Sequence, residues 1–270
     1  MRGKLFIVAT PIGNLQDITF RAIEVLKSVS VIVSEDTRVS SKLLNHYGIK
    51  KKLISNFKEN EAKRVDEIVK MLENGEDVAI ISDAGTPLIS DPGQILVQKV
   101  RERGGEAIPI PGPSSVVSAL SASGFKDTPF IFYGFFPKKE GEKMKIVEEL
   151  KNFPHTAIFF EAPFRIKKTL NLFYENFSER DVFLAREMTK KFESLLINPD
   201  VEEVPEKGEF VVILSPPKRK QKEVSKKEIE ERYRELIKKG LSHSMAAKEL
   251  SKEFKVSKRL LYNTLLLEGD

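Results

Sequence analysis

Four loops of small and polar residues carry the groups with which this sequence could do chemistry. Each follows a short apolar run that predicts a β-strand, and they span residues 10–14, 34–38, 82–93 and 109–115. In parallel α/β sheets, ligands bind at the carboxyl ends of the strands. Glycine lets the backbone approach a ligand closely, and proline fixes a turn. We therefore predict a nucleoside-sized pocket at this edge, because simple connecting turns explain each loop alone but not all four together.

Several familiar catalytic motifs are absent from the sequence. Because no loop reads Gly-x-Gly-x-x-Gly or Gly-x-x-x-x-Gly-Lys-Ser/Thr, a Rossmann dinucleotide site and a P-loop are unsupported. There is no Gly-x-Ser-x-Gly elbow of a serine hydrolase. The chain has no cysteine and three scattered histidines, which excludes disulfides and thiolate zinc sites, and we predict no metal site. Any chemistry must use carboxylates, hydroxyls, amines or a cofactor.

Composition and charge narrow the class of protein and its partners. The 270 residues carry a net charge of +5, with a basic run at 218–222, which fits a polyanionic partner. Because no apolar run approaches the roughly 18–20 residues of a membrane span, we expect no membrane association. The apolar start at 5–9 is cut short by a polar turn, so it predicts a buried strand rather than a signal peptide, and the cytoplasm is the expected location.

The elements that must position the four loops alternate between strand and helix. Apolar runs at 5–9, 31–33, 78–81 and 107–110 predict strands, and helical spacing between them predicts βαβ units with a mainly parallel sheet. The second half predicts a more mixed sheet, and after Pro216-Pro217 only helices are predicted. We therefore expect an α/β protein with domains at 1–115, 116–217 and 218–270, the last a small all-α domain.

Seven segments, in order along the chain, resemble one family. The loop Ile81–Gly93 resembles the signature loop of the tetrapyrrole methylase superfamily, the class III methyltransferases. More narrowly, the segments resemble the branch of small-subunit ribosomal RNA methyltransferases. The other matching segments are Ala9–Asp17, Glu35–Arg38, Pro111–Ser114, Gly134–Pro137, Arg186–Lys190 and Gly208–Val211.

The resemblance implies a fold, a reaction and partners. It implies two αβα domains with S-adenosylmethionine bound in the cleft between them. The implied reaction transfers a methyl group to the ribose 2′-hydroxyl of a cytidine in 16S ribosomal RNA, either as naked RNA or in the assembled small subunit. Enzymes of this superfamily are usually homodimers, so the resemblance also implies a homodimer.

The resemblance also assigns cofactor contacts. It places the cofactor on a loop of four residues, on two serines of a second loop and on a wall near the methyl donor. Asp83 could instead cap an Asx-type turn. The implied cofactor residues are Asp83, Ala84, Gly85, Thr86, Ser114, Ser115, Pro11 and Gly13.

Candidate catalytic and substrate residues come from separate loops. Asp36 is the candidate that orients or deprotonates the 2′-hydroxyl, whereas a helix N-cap at Ser34 or Asp36 is the alternative explanation. Glu187 and Lys190 could flank the acceptor, although a surface ion pair explains them equally well. We expect Arg38 and Arg165 to contact the substrate, together with Lys258 and Arg259 in the C-terminal segment.

Two segments depart from the family pattern. The family commonly has Tyr-Glu-Ser-Pro-His-Arg where this chain has Phe160–Arg165, and His-Glu-Glu after a hydrophobic residue where this chain has Phe192, Glu193 and Ser194. Both histidines are lost, so no role of theirs applies here.

The segment from residue 242 resembles a helix-turn-helix. Ala246, Ala247 and Leu250 would pack inside, and a helix from Ser257 would expose the basic pair named above and Tyr262. A dimerisation or packing appendage is the alternative. Two other functions also stay open: a corrin or porphyrin precursor methylase, and a non-catalytic RNA-binding protein on a degenerate methylase fold.

Overall fold

The computed structural model describes residues 2–56, 61–125, 129–218, 226–254 and 261. Their contacts divide the chain into two compact units, Met1–Pro217 and Lys218–Asp270. The first unit contains two five-stranded sheets with helices on their faces, and the second is helical in its described part. The predicted α/β fold with αβα layers and a helical C-terminal segment is therefore confirmed.

The first sheet is wholly parallel, and its strand order is β3-β2-β4-β1-β5. Alternate residues of its strands face opposite layers. Val31 and Val33 pack with helices α3 and α4, whereas Ile32 between them packs with α1 and α2. The elements are β1 Leu5–Val8, α1 Phe20–Ser28, β2 Val31–Ser34, α2 Thr37–His46, β3 Lys52–Ser55, α3 Glu61–Glu73, β4 Val78–Ile81, α4 Gln94–Glu102 and β5 Ala107–Ile110.

The second sheet is mixed, as the sequence predicts. In the order β6-β7-β10-β8-β9, only β6 and β7 pair in parallel. Helices α6 and α7 cover one face, and α5 covers the other. The elements are α5 Ser115–Ser123, β6 Phe130–Phe135, α6 Glu140–Lys151, β7 Thr156–Glu161, α7 Ile166–Asn176, β8 Val182–Arg186, β9 Ser194–Ile197 and β10 Phe210–Leu214.

Two strands and one helix of the first 217 residues were not predicted from the sequence pattern. Strands β3 and β9 lie at sheet edges, and of their residues only Ile54 is buried, so neither shows the continuous apolar run of a central strand. The helix is α5, which directly follows the loop after β5. Helix α2 begins at Thr37, because the Asp36 side chain caps it by accepting from the Arg38 amide.

The C-terminal unit contains α8 Lys226–Lys238 and α9 His243–Phe254. Its core includes Ile229, Leu236, Ala246, Leu250 and Leu261, and the predicted burial of Ala246, Ala247 and Leu250 is confirmed. The predicted helix over 257–267, with Lys258 and Arg259, lies outside the described residues apart from position 261. Among the helices that the structure describes, none is both long and apolar enough to cross a membrane.

Candidate active site

A cavity of about 410 Å³ lies at the carboxyl ends of strands β1, β4 and β5. Its other walls come from the second sheet, at the ends of β6, β7 and β8 and the start of β10. Ligand pockets for small molecules typically measure about 300–1,000 Å³. The lining residues are Ile12, Asp83, Ala84, Gly85, Thr86, Ile89, Ser90, Asp91, Ser114, Ser115, Val116, Phe135, Phe160, Glu161, Ala162, Pro163, Ala185, Met188, Gly208, Glu209, Phe210 and Val211.

The loop after β4 is fixed by the turn after β1. The Thr10 amide donates to the Gly85 carbonyl at 2.9 Å, and the Gly85 amide donates back to the Thr10 carbonyl at 3.0 Å. Gly85 has a φ of 81°, and a Cβ there would lie 3.2 Å from Ile12 Cγ2. Glycine therefore allows the loop to pack closely against the turn after β1, with the exposed Asp83 and Ala84 at the cavity.

The loop after β5 closes the cavity from the side. The Thr86 hydroxyl donates to the Pro113 carbonyl at 3.1 Å, which joins the two predicted cofactor loops. Ser114 is the N-cap of α5, yet its side chain makes no capping hydrogen bond. The first amides of α5 therefore face this end of the loop without a side-chain cap, as in helix N-termini that bind anionic groups.

Two lining residues lie between strained neighbours. Leu88 and Ser90, with φ of 72° and 71°, flank Ile89. Glu187 and Thr189, with φ of 51° and 65°, flank Met188 in the same way. Left-handed conformations cost non-glycine residues about 1–3 kcal/mol each and gather at functional sites. The strain points to a ligand-binding role for both loops.

Asp91 is a cavity carboxyl group that the sequence analysis did not single out. Burial and the nearby Glu35 carboxylate raise its pKa to about 6, against an opposing hydrogen bond from Ser82. Asp83 lies in the same wall; partial burial raises its pKa also, and its Oδ1 accepts from the Asp36 amide at 3.2 Å. The only sequence signal for Asp91 was its place in the signature loop.

The raised pKa of Asp91 predicts a pH effect on stability. The folded state holds the Asp91 proton up to about pH 6, whereas the unfolded chain releases it near the ordinary aspartate pKa of 3.8. The associated stability is therefore full below that lower value and is lost as the pH rises through about 6. The thermal midpoint of the wild type should fall relative to that of Asp91→Asn over this range. A constant difference between the two midpoints from pH 4 to pH 7 would contradict the assignment.

Asp36 and Arg38, which were predicted to contact the acceptor, form a pair outside the cavity lining. Arg38 Nη2 lies 2.6 Å from Asp36 Oδ2, and its backbone amide donates to Oδ1. These hydrogen bonds lower the pKa of Asp36 to about 2. The helix N-cap that the sequence left open is present, and the carboxylate is a weak base.

Glu187 and Lys190 form an ion pair behind the wall that contains Met188. Lys190 Nζ lies 3.1 Å from Glu187 Oε1 and 2.9 Å from Glu209 Oε2. Burial alone would lower the lysine pKa, but the two carboxylates outweigh it and raise that pKa. Gly13 packs so closely here that a Cβ on it would lie 2.4 Å from Lys190 Cγ.

Glu161 and Arg165 support the cavity from the end of β7. Glu161 is buried, which raises its pKa; it accepts from Thr169 Oγ1 at 2.5 Å and from the Ala162 amide at 2.6 Å, and it pairs with Arg165 Nη2 at 2.6 Å. Arg165 Nη1 also donates to the carbonyls of Phe136 and Pro137. The guanidinium predicted to meet substrate is thus engaged within the protein.

The structure brings most of the predicted cofactor residues together. The cavity is lined by the 83–86 loop, Ser114 and Ser115. Pro11 and Gly13 lie on either side of the lining residue Ile12 but do not line the cavity. The predicted catalytic and substrate residues do not line it. Those predictions concern Asp36, Glu187, Lys190, Arg38 and Arg165, while Lys258 and Arg259 lie outside the described residues.

Comparison with known proteins decides the family. The profile of the tetrapyrrole (corrin/porphyrin) methylases matches residues 4–199. A Mesorhizobium japonicum protein named ribosomal RNA small subunit methyltransferase I is 40% identical over 270 residues, 97% of this chain and 91% of its own. The chain belongs to the tetrapyrrole methylase family, in the ribosomal RNA small subunit methyltransferase I branch.

Two further relatives with that name are similar over the first unit. The Thermotoga maritima protein is 48% identical over 188 residues, 70% of this chain and 84% of its own length. The Bacillus subtilis protein is 44% identical over 194 residues, and the match spans 72% of this chain and 66% of the relative. The prediction of an S-adenosylmethionine-dependent methyltransferase is confirmed for this family member.

Solved structures of the same fold extend the comparison. A diphthine synthase has a TM-score of 0.62 at 10% identity and covers 78% of this chain and 89% of its own. The methyltransferase CobJ has a TM-score of 0.60 at 17% identity, covering 79% and 94%. At such low identity these structures show the shared fold and not a shared substrate.

Proposed function

We propose that this chain transfers the methyl group of S-adenosylmethionine to the 2′-hydroxyl of a cytidine in small-subunit (16S) ribosomal RNA, in the cytoplasm. The observation that carries the proposal is the 40% identity over nearly the whole length of a relative named for this RNA. The basic charge of the chain supports a polyanionic substrate.

The cavity residues fit S-adenosylmethionine. When bound, the cofactor supplies an activated methyl group on a positively charged sulfonium. The Asp83–Thr86 loop would hold it, as the family resemblance implies. The uncapped start of α5 at Ser114 and Ser115 suits its carboxylate, and the Asp83 carboxyl group suits its positive groups.

A carboxyl group of the chain accepts the proton of the 2′-hydroxyl. A proton acceptor works best when its pKa lies near the working pH. Asp91, with a pKa of about 6, meets this condition better than Asp36, with a pKa of about 2. We therefore assign proton acceptance to Asp91 and keep Asp36 and Arg38 as groups that orient the acceptor. Lys190, held by Glu187, would supply positive charge beside it.

Transfer to rRNA can be measured directly. We expect purified chain and S-adenosylmethionine to form 2′-O-methylcytidine in unmethylated small subunits, as detected by mass spectrometry of the nucleosides. Asp91→Asn should lower kcat at least about 100-fold, the low end of the usual 10²–10⁴ contribution of acid–base groups. Asp36→Ala and Glu187→Ala should each lower activity.

The outcomes of this assay separate the alternatives. Full activity in Asp36→Ala and Glu187→Ala would remove both residues from the mechanism. S-adenosylmethionine binding by calorimetry without methylation of subunits or RNA would favour a tetrapyrrole precursor as acceptor. If calorimetry detects no cofactor binding, the chain is instead a non-catalytic RNA-binding protein.

The C-terminal unit is proposed to bind RNA, and the chain to act as a homodimer. Deletion of 218–270 removes the basic run at 218–222, so RNA affinity should fall and its dependence on salt should weaken. Filter binding of small subunits at two salt concentrations measures both the affinity and its salt dependence.

The oligomeric state is a separate test. Sedimentation of the full and shortened chains should give dimers. If the shortened chain is monomeric with unchanged RNA affinity, this unit is a dimerisation appendage.

A further inference from the structure

Two exposed aromatic side chains belong to the segments that form one side of the cavity, and neither has a role in the proposed mechanism. Phe135 lines the cavity and is 57% exposed. Phe164 is 69% exposed and directly follows the lining residue Pro163, although it does not line the cavity itself. Large apolar side chains are usually buried, and exposed apolar surface beside a cavity marks interaction sites. One ring in the cavity wall and a second on an adjoining segment therefore point to a ligand.

Both rings are mounted on well-connected backbone. Phe135 ends β6, and its ring meets Phe160 edge to face with centroids 5.5 Å apart. Phe164 lies in the turn Pro163–Arg165, which Arg165 ties to the carbonyls directly after Phe135, at Phe136 and Pro137. The two rings thus occupy connected segments, and little conformational entropy is lost when a flat ligand stacks on them.

The first sheet also contributes an exposed apolar side chain to the cavity. Ile89 also lines the cavity and is exposed, and it lies between the strained Leu88 and Ser90. Gly134, next to Phe135, approaches that loop so closely that a Cβ on it would lie 3.4 Å from Ser90 Oγ. A ligand that contacts Phe135 and Ile89 would therefore touch residues of both sheets beside the cofactor loop.

Positive charge adjoins the rings. Lys138 and Lys139 follow Pro137 and are exposed. Lys139 pairs with Glu142 at 3.3 Å on the surface, a contact that solvent weakens. Aromatic faces that stack on bases, beside amines that contact phosphates, are the combination by which proteins bind single-stranded nucleic acid. A purely apolar partner would not interact with the two amines.

We propose that Phe135 and Phe164 stack on an unpaired nucleobase of the RNA substrate, with Lys138 beside the adjoining phosphate. The proposal rests on the proposed function, because it states how the same site holds its acceptor. Sequence-specific proteins usually recognise RNA in single-stranded loops, where unpaired bases stack on aromatic side chains. Because every base has a π-face, these rings position the nucleotide without selecting its identity.

Paired measurements on Phe135→Ala and Phe164→Ala test the proposal. The KM for unmethylated small subunits should rise about tenfold in each variant, whereas the Kd for S-adenosylmethionine by calorimetry should stay within about twofold. Phe135→Tyr retains a stacking face and should behave as the wild type. Phe130→Ala is the matched control, since Phe130 is also exposed on β6 but at the opposite end of the strand.

Each other result overturns a defined claim. An unchanged KM in both alanine variants overturns the stacking proposal. A weaker Kd for S-adenosylmethionine with an unchanged KM overturns it too, because the rings would then hold the cofactor's adenine. If the wild type itself fails to methylate subunits, the proposed function falls and the stacking proposal falls with it. If the wild type methylates subunits and both alanine variants keep its KM, only the stacking proposal is overturned.

Discussion

Gly85→Val should weaken S-adenosylmethionine binding at least about 100-fold. At its φ of 81°, a valine is strained by about 1–2 kcal/mol or more. Its Cβ would lie 3.2 Å from Ile12 Cγ2, and its γ-methyl groups extend further into the cavity wall. The strain also opposes the two backbone hydrogen bonds between residues 10 and 85 that hold the loop. Titration calorimetry with the cofactor measures the loss.

Gly104→Val is the matched control for that prediction. Gly104 has a φ of 70°, but no atom lies within 4 Å of a Cβ placed there, and it lies in the turn after α4. The control therefore carries similar backbone strain without contact with the cavity. We expect it to lower the thermal midpoint and leave the cofactor Kd unchanged. Equal weakening in both variants would show that general destabilisation, and not the cavity wall, causes the loss.

Glu161→Ala should lower the free energy of unfolding by about 3–5 kcal/mol, the usual cost of leaving one partner of a buried ion pair alone. The Glu161 side chain has no exposed surface, and that of Arg165 is 14% exposed. The substitution also removes the acceptor of the Thr169 hydroxyl and the Ala162 amide. Because Ala162 and Pro163 line the cavity, cofactor affinity should fall as well. Denaturant unfolding measures the first effect.

A double-variant cycle separates the ion pair from simple loss of packing. The change Glu161→Ala with Arg165→Ala leaves no unpaired charge, so its cost should be smaller than the sum of the two single costs. As a control, Glu202→Ala breaks the surface pair with Lys167 of helix α7 and should cost less than about 1 kcal/mol. Additive single costs would mean that the buried charges do not stabilise one another.

The folded chain confirms those parts of the sequence analysis that depend on local pattern. Central strands such as Val78–Ile81 are recognisable because both faces are buried, and the C-terminal helices because their apolar residues recur at helical spacing. Edge strands such as Ser194–Ile197 lack that signal, since their residues remain partly or fully exposed. Strand β9 pairs with β8, the strand directly before it, so its place depends on that pairing and not on a buried apolar face.

The candidate site could also be predicted from the sequence only in part. The sequence alone predicted that the 82–93 and 109–115 loops reach the cavity, because they follow buried strands whose carboxyl ends meet at one edge of a parallel sheet. Only the tertiary structure decided which side chains meet in the cavity and in which protonation state. Burial and the Glu35 carboxylate, which is distant in sequence, set the pKa of Asp91 near 6, so this value follows from the packed chain and not from a motif. The partners of Asp36 and Arg165 are close in sequence, at Arg38 and Glu161, but only the folded backbone brings these side chains into hydrogen-bonding contact.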